Sequence, residues 1–495
     1  MRIRIVGTAS GKKALQVVSK SRGKLTVHKH IGTFSDKAGK ADLYSKAQEY
    51  ILEQSKQRGL FDKMNFLDPA NIIITQSKPL FAYRFFENIY NKLGFGNCND
   101  KVIKDLVIAR IFAPVSKRET KDVLEDFFDR RYSLLTIYRH LKRAIKEGVK
   151  ETFQTGLINF VKGNLNDGLR LIFYDVTTLY FDSQIRTELK DFGFSKDHRP
   201  SDTQVVVGLV VNKDGFPLYF DVFKGNTFEG HTFLPVIKRI RKLLNSPNLV
   251  VVADAAMIST ANIAELNKNG LEFIVGARLA NLPQNLIEFI SEKINKKDGK
   301  IVSVAYKEQR LICQYLTSRA NKDRSDRLKQ ILKAENAMKR PSEIANRFRF
   351  LKKDANKKYD LNTDLIIKAE KLEGIKGYVT NTNLDPQVII ARYHDLWKIE
   401  NAFRITKSDL EARPVFHRLD ETIKAHLVIV FAGLAITKYV EIKTEMSIKK
   451  VLKIISKVLT HKVKITTSGQ TAYIETTIEE PTLREKIDKI NSLGH

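Results

Sequence analysis

The sequence predicts an α/β protein of several domains, and three observations predict it. The apolar residues repeat with a helical period from about residue 80 to 162 and with an extended one beyond it. Five apolar segments of strand length then follow, separated by turn and helix signals. Hydrophobic residues make up 43% of a 495-residue chain, ample for packed cores but in a chain too long for a single one.

In order, residues 1–60 read as two short strands and a helix. Gln16-Val-Val-Ser-Lys and Leu25-Thr-Val-His-Lys-His-Ile are rich in β-formers, with Ser21-Arg-Gly-Lys as the turn between them. A helical pattern covers 41–57. His28 and His30 alternate along the second strand; with no further ligand nearby, they read as exposed or half-buried strand residues. From about 80 to 162 the pattern is helical. Ser116 and Glu119, just after Pro114, have the spacing of a capping box and open a helix to about 128. A second amphipathic helix spans 133–146, with Arg139, Lys142, Arg143 and Lys146 at polar positions. Two helices joined by a short turn, the second basic, fit a helix-turn-helix DNA reader. They equally fit an ordinary bundle with solvated charges.

Leu169-Arg-Leu-Ile-Phe-Tyr-Asp-Val then reads as a buried strand, and Thr203-Gln-Val-Val-Val-Gly-Leu-Val-Val-Asn as a second. Gly215-Phe-Pro-Leu-Tyr-Phe-Asp-Val-Phe is a third, joined to the second by the hairpin Asn212-Lys-Asp-Gly. Asn226 and Glu229 have capping-box spacing for a helix over 227–244. Asn248-Leu-Val-Val-Val-Ala-Asp is a fourth strand, 259–267 a helix, and Glu272-Phe-Ile-Val-Gly a fifth strand. A three-stranded antiparallel meander followed by helix, strand, helix, strand is the order of a ribonuclease-H-like core. Residues 286–380 interrupt it. Rich in Lys and Arg, with strand-like pieces at 300–306 and 311–316 and a charged helix at 323–339, they read as an inserted β-rich subdomain. One long helix is expected from Asp385 through Lys407, then an apolar helix over 421–439.

Charge narrows the function. Lys and Arg outnumber Asp and Glu by 85 to 56, a net of +29 with a pI near 9.8. An excess that large favours a polyanionic partner, and nucleic acid leads. A membrane fits less well: the most apolar run, 427–436, is about half the length of a spanning helix. The first residues alternate charged and apolar as a strand does, unlike a signal peptide. Cys98 and Cys313 cannot make a disulfide framework or a four-cysteine zinc site, and a reducing cytoplasm is expected.

Two carboxylates end apolar strands, Asp175 after Leu-Ile-Phe-Tyr and Asp254 after Leu-Val-Val-Val-Ala. Desolvating a carboxylate costs several kcal/mol unless it is paired. A hard divalent cation held by oxygen ligands is a natural partner, although α/β proteins also place such residues in turns and helix caps.

A third acid completes a pattern. The segment Tyr393-His-Asp-Leu-Trp-Lys-Ile-Glu400-Asn-Ala-Phe-Arg-Ile-Thr-Lys407 resembles a signature of DDE transposases of bacterial insertion sequences. In that branch Tyr, Arg, Glu and Lys recur at fixed spacing. Tyr393, Glu400 and Lys407 match in register, while the arginine position holds Leu396. Tyr174-Asp-Val-Thr-Thr, Phe223-Lys-Gly-Asn-Thr-Phe-Glu and Arg413-Pro-Val-Phe-His are similar to that branch too, so the resemblance spans about 170–440. Ala255 and Ala256 depart from it, since relatives commonly carry a glycine after the second Asp.

The resemblance implies a ribonuclease-H-like fold with Asp175, Asp254 and Glu400 as catalytic, metal-holding acids. It implies two Mg²⁺ ions about 4 Å apart, with Mn²⁺ as a substitute, for phosphoryl transfer on DNA. Asp175 would bridge both ions, and Tyr393 and Lys407 would hold phosphates. On a continuous helix Arg404 shares their stripe and would supply the cation that Leu396 does not; a solvated arginine is the plain alternative. Trp397 and Ile399 read as core. The organisation expected is a small α+β region (1–70) and a mainly helical DNA-binding region (71–165). The catalytic core follows in two parts (166–285 and 381–445, the second with the Glu helix) around the insertion (286–380), with a C-terminal region over 446–495. The activity implied is cutting of terminal inverted repeats and joining of 3′ ends to target DNA, by a homodimer on DNA in the bacterial cytoplasm at the nucleoid. A nuclease of the same fold without strand transfer, or a DNA-binding relative without catalysis, is the alternative.

Overall fold

The computed structural model describes residues 2–8, 11–21, 24–34, 37–54, 72–164, 169–196, 199–245, 249–257, 259–338, 348–353, 359–413, 415, 417–466 and 469–492. The middle of the turn expected at Ser21-Arg-Gly-Lys, residues 22–23, lies outside them. Contacts divide the chain into two units: Met1–Ser77 with Thr460–Glu475, and Lys78–Leu459 with Thr476–His495. The 446–495 stretch, expected as one C-terminal region, is therefore shared between both.

In the first unit, β1 (Arg2–Gly7), β2 (Lys13–Ser21) and β3 (Lys24–Phe34) form an antiparallel sheet. Helix α1 (Lys37–Gln54) packs on it over Leu15, Val17, Phe34 and Ala47. His28 and His30 are exposed on β3, as expected. Strand β4 (Ile72–Lys78) is at one edge of a second sheet, whose other strands, Thr460–Ile465 and Thr471–Glu475, come from far along the chain.

The second unit opens with helices α2 (Leu80–Lys92), α3 (Lys101–Phe112), α4 (Lys117–Phe128), α5 (Leu134–Lys146) and α6 (Val149–Asn164). The capping box forms: the Glu119 amide donates to Ser116 Oγ at 3.3 Å and the Ser116 amide to Glu119 Oε2 at 3.4 Å. Helix α5 begins at its Ser133 cap and buries Ile137, Leu141 and Ala144. Its apolar face is thus packed, as both the DNA-reader and the plain-bundle readings require. Arg139 and Lys142 stay exposed, but Arg143 is engaged, with Nη2 3.0 Å from Asp100 Oδ2 and Nε 3.4 Å from Glu147 Oε2.

A mixed α/β arrangement follows around one sheet. It contains β5 (Leu171–Tyr180), β6 (Gln204–Asn212), β7 (Pro217–Lys224), β8 (Val250–Ala253) and β9 (Glu272–Gly276), with α7 (Glu229–Leu244) and α8 (Thr260–Lys268) between later strands. Strands β5, β6 and β7 are an antiparallel meander, and β8 and β9 run parallel to β5, in the spatial order β7-β6-β5-β8-β9. Every residue of β6 is buried, which requires cover on both faces of the sheet.

The segment expected as an inserted subdomain instead lengthens this sheet. After α9 (Gln284–Ile294) come β10 (Ile301–Tyr306), β11 (Gln309–Tyr315), α10 (Thr317–Met338), β12 (Leu351–Lys353), β13 (Tyr359–Leu361), α11 (Thr363–Lys371) and β14 (Ile375–Thr380). Strand β14 pairs antiparallel with β9, β11 with β14, and β10 with β11, giving eight strands in one sheet. Only β12 and β13 pair apart from it.

The long helix expected over 385–407 is broken. Asp385 caps α12 (Pro386–His394), and α13 (Trp397–Arg404) follows, then a π turn at Ile405–Asp409. At the joint, the amides of Leu396, Lys398 and Ile399 donate to carbonyls three residues back, which tightens the coil. Leu396 and Ile399 are buried there, whereas Trp397, expected in the core, is 58% exposed. Next comes α14 (Asp420–Thr444), longer than its apolar run suggested, with two shorter helices, Ile448–Ile455 and Pro481–Ser492, after it in this unit. Its length and hydropathy would suffice to cross a membrane, but 89% of its most apolar stretch is buried inside the protein.

Asp100 links these helices. Its Oδ1 accepts from the Val102 and Ile103 amides at 2.9 and 3.1 Å, and His140 Nδ1 lies 2.8 Å from Oδ2. Asp100→Ala removes a cap and the partner of two basic side chains, and should destabilise the helical bundle by about 2–4 kcal/mol. Helical circular dichroism should be lost at a lower temperature; an unchanged melt would show that the cluster contributes nothing.

Candidate active site

The pairing of β5 with β8 builds the centre of the site. Their register places Tyr174 opposite Ala253, so the next residue on each strand is an aspartate, Asp175 and Asp254. Neighbouring strands are about 4.8 Å apart, so the pair is set side by side by backbone alone. Asp175 is half-buried and its Oδ1 accepts from the Val176 amide at 2.7 Å. Burial pushes its carboxyl up to about 6, against the nearby Lys196 cation, and the Glu229 and Asp254 charges raise it further.

Lys196 and Glu229 belong to this centre. Lys196 Nζ donates to the Val176 carbonyl at 2.8 Å and lies 2.9 Å from Glu229 Oε1. The expected capping box at Asn226 and Glu229 does not form: α7 starts after Phe228 with no side-chain cap, and Glu229 turns to Lys196. His231 is an exposed first-turn residue of that helix.

Asp254 sits exposed at the end of β8, where its Oδ1 accepts from the Ala255 amide at 2.7 Å and from the Tyr393 hydroxyl at 2.8 Å. Tyr393 is buried, and burial, then the Asp254 charge, pushes its phenol far above the usual range. Its hydroxyl therefore stays protonated and donates to the acid. Tyr393, expected to hold a phosphate, thus holds Asp254 in this structure. Gly276 at the end of β9 makes room for this: a Cβ there would lie 2.6 Å from the Tyr393 hydroxyl oxygen.

Glu400 is exposed on α13, the helix that packs on β5 and β6. Lys376 of β14 belongs to the same surroundings, its ammonium 4.8 Å from the centroid of the Tyr393 ring that reaches Asp254. Burial lowers its pKa and Arg319 lowers it further, while the Asp254 and Glu400 charges both pull it back up. Lys376 is thus a cation facing two of the three acids, and no local sequence pattern announces it.

The remaining basic residues are placed differently. Arg404 Nη1 lies 3.4 Å from Asp409 Oδ2, and Lys449 Nζ 3.1 Å from Asp409 Oδ1, so Arg404 braces the π turn. The break at 395–396 had already removed the continuous stripe on which its phosphate role rested. Lys407 is half-buried within that turn. Arg139, Lys142 and Arg143 belong to α5, which packs on α3 and α14 and not on the sheet.

The three acids offer only hard oxygen donors, a donor type suited to a divalent cation. Among the described residues no group of three or more acidic, imidazole or thiol side chains stands close enough to hold an ion.

A family model described as the transposase DDE domain matches residues 168–436, more than half of the chain, and contains all three acids. The chain belongs to the family of proteins with that domain. Among solved structures it is similar to a piggyBac transposase synaptic complex with hairpin DNA, at 8% identity over 77% of this chain and 79% of that one, with a TM-score of 0.43. It is similar to a pre-cleavage Mos1 transpososome at 10% identity over 38% and 57%, with a TM-score of 0.16. Neither overlap is high enough to bear on this chain's fold or chemistry. No curated protein matches the chain.

Two outcomes follow from the geometry. Between pH about 4 and 6 the folded protein keeps a proton on Asp175 that the unfolded chain has lost, so stability should fall as pH rises through that window. Asp175→Asn should remove that slope and add about 2–3 kcal/mol above pH 7, read from melting temperature against pH. An unchanged profile would mean that the carboxyl is not desolvated. Gly276→Ala should displace the Tyr393 hydroxyl from Asp254, returning the phenol's ultraviolet titration toward its ordinary range near 10.

Proposed function

We propose that this transposase binds the inverted-repeat ends of a bacterial insertion sequence, cuts them by metal-dependent phosphodiester hydrolysis and joins the 3′ ends to target DNA. The register that seats Asp175 beside Asp254 carries the reading, with Glu400 as the third acid on α13, the helix that packs on β5 and β6. The family match over the same residues supports it. Asp175, Asp254 and Glu400 would hold Mg²⁺, or Mn²⁺ in its place. Bound there, two such ions supply an activated water and charge stabilisation at the leaving oxygen.

The chain's own groups do the rest. Tyr393 fixes the orientation of Asp254 through its hydroxyl. Lys376 presents a cation next to Asp254 and Glu400, where a scissile phosphate would arrive. Lys196, held by Val176 and Glu229, offsets part of the Asp175 charge until a cation takes that role. The net charge of +29 serves DNA binding, including the exposed Arg139 and Lys142 of α5. A homodimer on paired ends, at the nucleoid, completes the reading.

Asp175→Ala, Asp254→Ala and Glu400→Ala should each abolish Mg²⁺-dependent cleavage of end-containing DNA and leave end binding in a gel-shift assay nearly intact. Lys376→Met should slow single-turnover cleavage by about 10- to 100-fold, the loss of one charge-assisted contact. Near-wild-type cleavage by any acid variant would remove that residue from the site. Cleavage without joined products in a strand-transfer assay would reduce the activity to that of a nuclease.

A further inference from the structure

Away from the acids, a cavity of about 500 Å³ opens among the ends of four elements of the second unit. Arg110 from the end of α3 and Lys117 from the first turn of α4 line it, with His417 and His426, the latter from α14. All four are more than nine-tenths buried. Arg118, Arg413 and Tyr138 also contribute to its lining.

Lys117 is the anomaly. Its Nζ is fully enclosed and has no hydrogen-bond partner among the described residues. A buried ammonium without a partner costs several kcal/mol, and a fold keeps one only where something compensates. His426 Nδ1 is buried and unpartnered as well, while its Nε2 lies 3.4 Å from the Ala412 carbonyl. Two acids line the cavity, Glu119 and Glu411. Both are exposed, and Glu119 is tied into the capping box, so neither neutralises Lys117. A cation ligand is excluded by the charge of the walls. The N-terminus of α4, which frames the same space, also favours an anion.

We infer that this cavity binds a phosphomonoester, with Lys117 and Arg110 as the charge partners of its oxygens and His426 Nδ1 accepting its remaining proton. The volume is in the range of small-ligand sites and exceeds what a lone oxyanion needs, so a sugar can follow the phosphate. Inorganic phosphate and the 5′-phosphate of a DNA end share the required chemistry. Burial and the Arg110 charge lower the Lys117 pKa in the empty cavity, and a bound dianion would restore its charge. The inference does not rest on the reading of the catalytic acids.

The full chain can be tested by thermal unfolding in about 10 mM inorganic phosphate against chloride of equal ionic strength, as wild type and as Lys117→Met. Phosphate should raise the wild-type melting temperature by about 2 °C or more beyond any rise in the variant. In chloride alone the variant should melt no lower than wild type, because an uncompensated charge has left the interior. Equal shifts in both proteins would overturn the inference. So would loss of the shift in Asp175→Asn with its retention in Lys117→Met, which would place the anion at the catalytic acids. If Lys117→Met does not fold, ³¹P NMR titration of wild type decides: no saturable site tighter than about 1 mM would end the proposal. Competition by a 5′-phosphorylated oligonucleotide, and none by its 5′-hydroxyl twin, would identify a DNA end as the source; competition by neither would identify free phosphate.

Discussion

Two like charges brought together by parallel strand pairing are the constraint to which the catalytic half of this protein responds. Backbone register alone sets Asp175 next to Asp254 at the point where β8 ends. Neither acid can move away without breaking the central sheet. The surroundings therefore compensate: Lys196 approaches Asp175 from the loop after β5, Tyr393 donates to Asp254, and Lys376 stands toward Asp254 and Glu400. The compensation is partial, since burial still leaves the Asp175 carboxyl near 6. Partial compensation suits the proposed cation-binding role of these acids, because full pairing by lysines would leave nothing for cations to bind.

The added strands acquire a purpose in this setting. By pairing with β9, β14 carries Lys376 to the acids, and Gly276 at the end of β9 leaves the gap through which Tyr393 reaches Asp254. A separate subdomain could not do this with the same precision, since a hinge would stand between the lysine and the acids. Extending a rigid sheet positions a side chain better than a loop does.

Much of the core was legible because strands and caps leave local marks. The apolar runs that ended at Asp175 and Asp254, the Asn212 hairpin and the Ser116 capping box all appear where the sequence places them. What was hidden depends on tertiary contact. Nothing local signals the tightened joint at 395–396, because burial of Leu396 and Ile399 against the sheet sets it. That joint, with the π turn after it, undid the stripe argument for Arg404, and it leaves Trp397 in solvent. Lys376 and Lys196 could not be found either, for each meets its acids only through strand pairing or a loop that folds back. Glu229 was legible as an acid in the right motif but was assigned to the wrong partner.

The long helix α14 borders the cavity and packs on the sheet. Near its start, α14 supplies His426 to the cavity, and further along Phe431 packs tilted against Phe220 of β7, ring centroids 4.6 Å apart. Between Glu400 and His417 the chain passes through the π turn, where Arg404 and Lys449 both hold Asp409. An α-helix that simply continued would carry the chain away along the axis of α13. The π turn instead ends the helix, and the Leu410 amide closes it on the Ile405 carbonyl at 2.9 Å. The chain can then return along α14 with Arg413 and His417 at the cavity. Bracing this turn with two cations on one buried carboxylate therefore fixes the end of the Glu400 helix and the cavity wall together, and that is the work the structure gives Arg404.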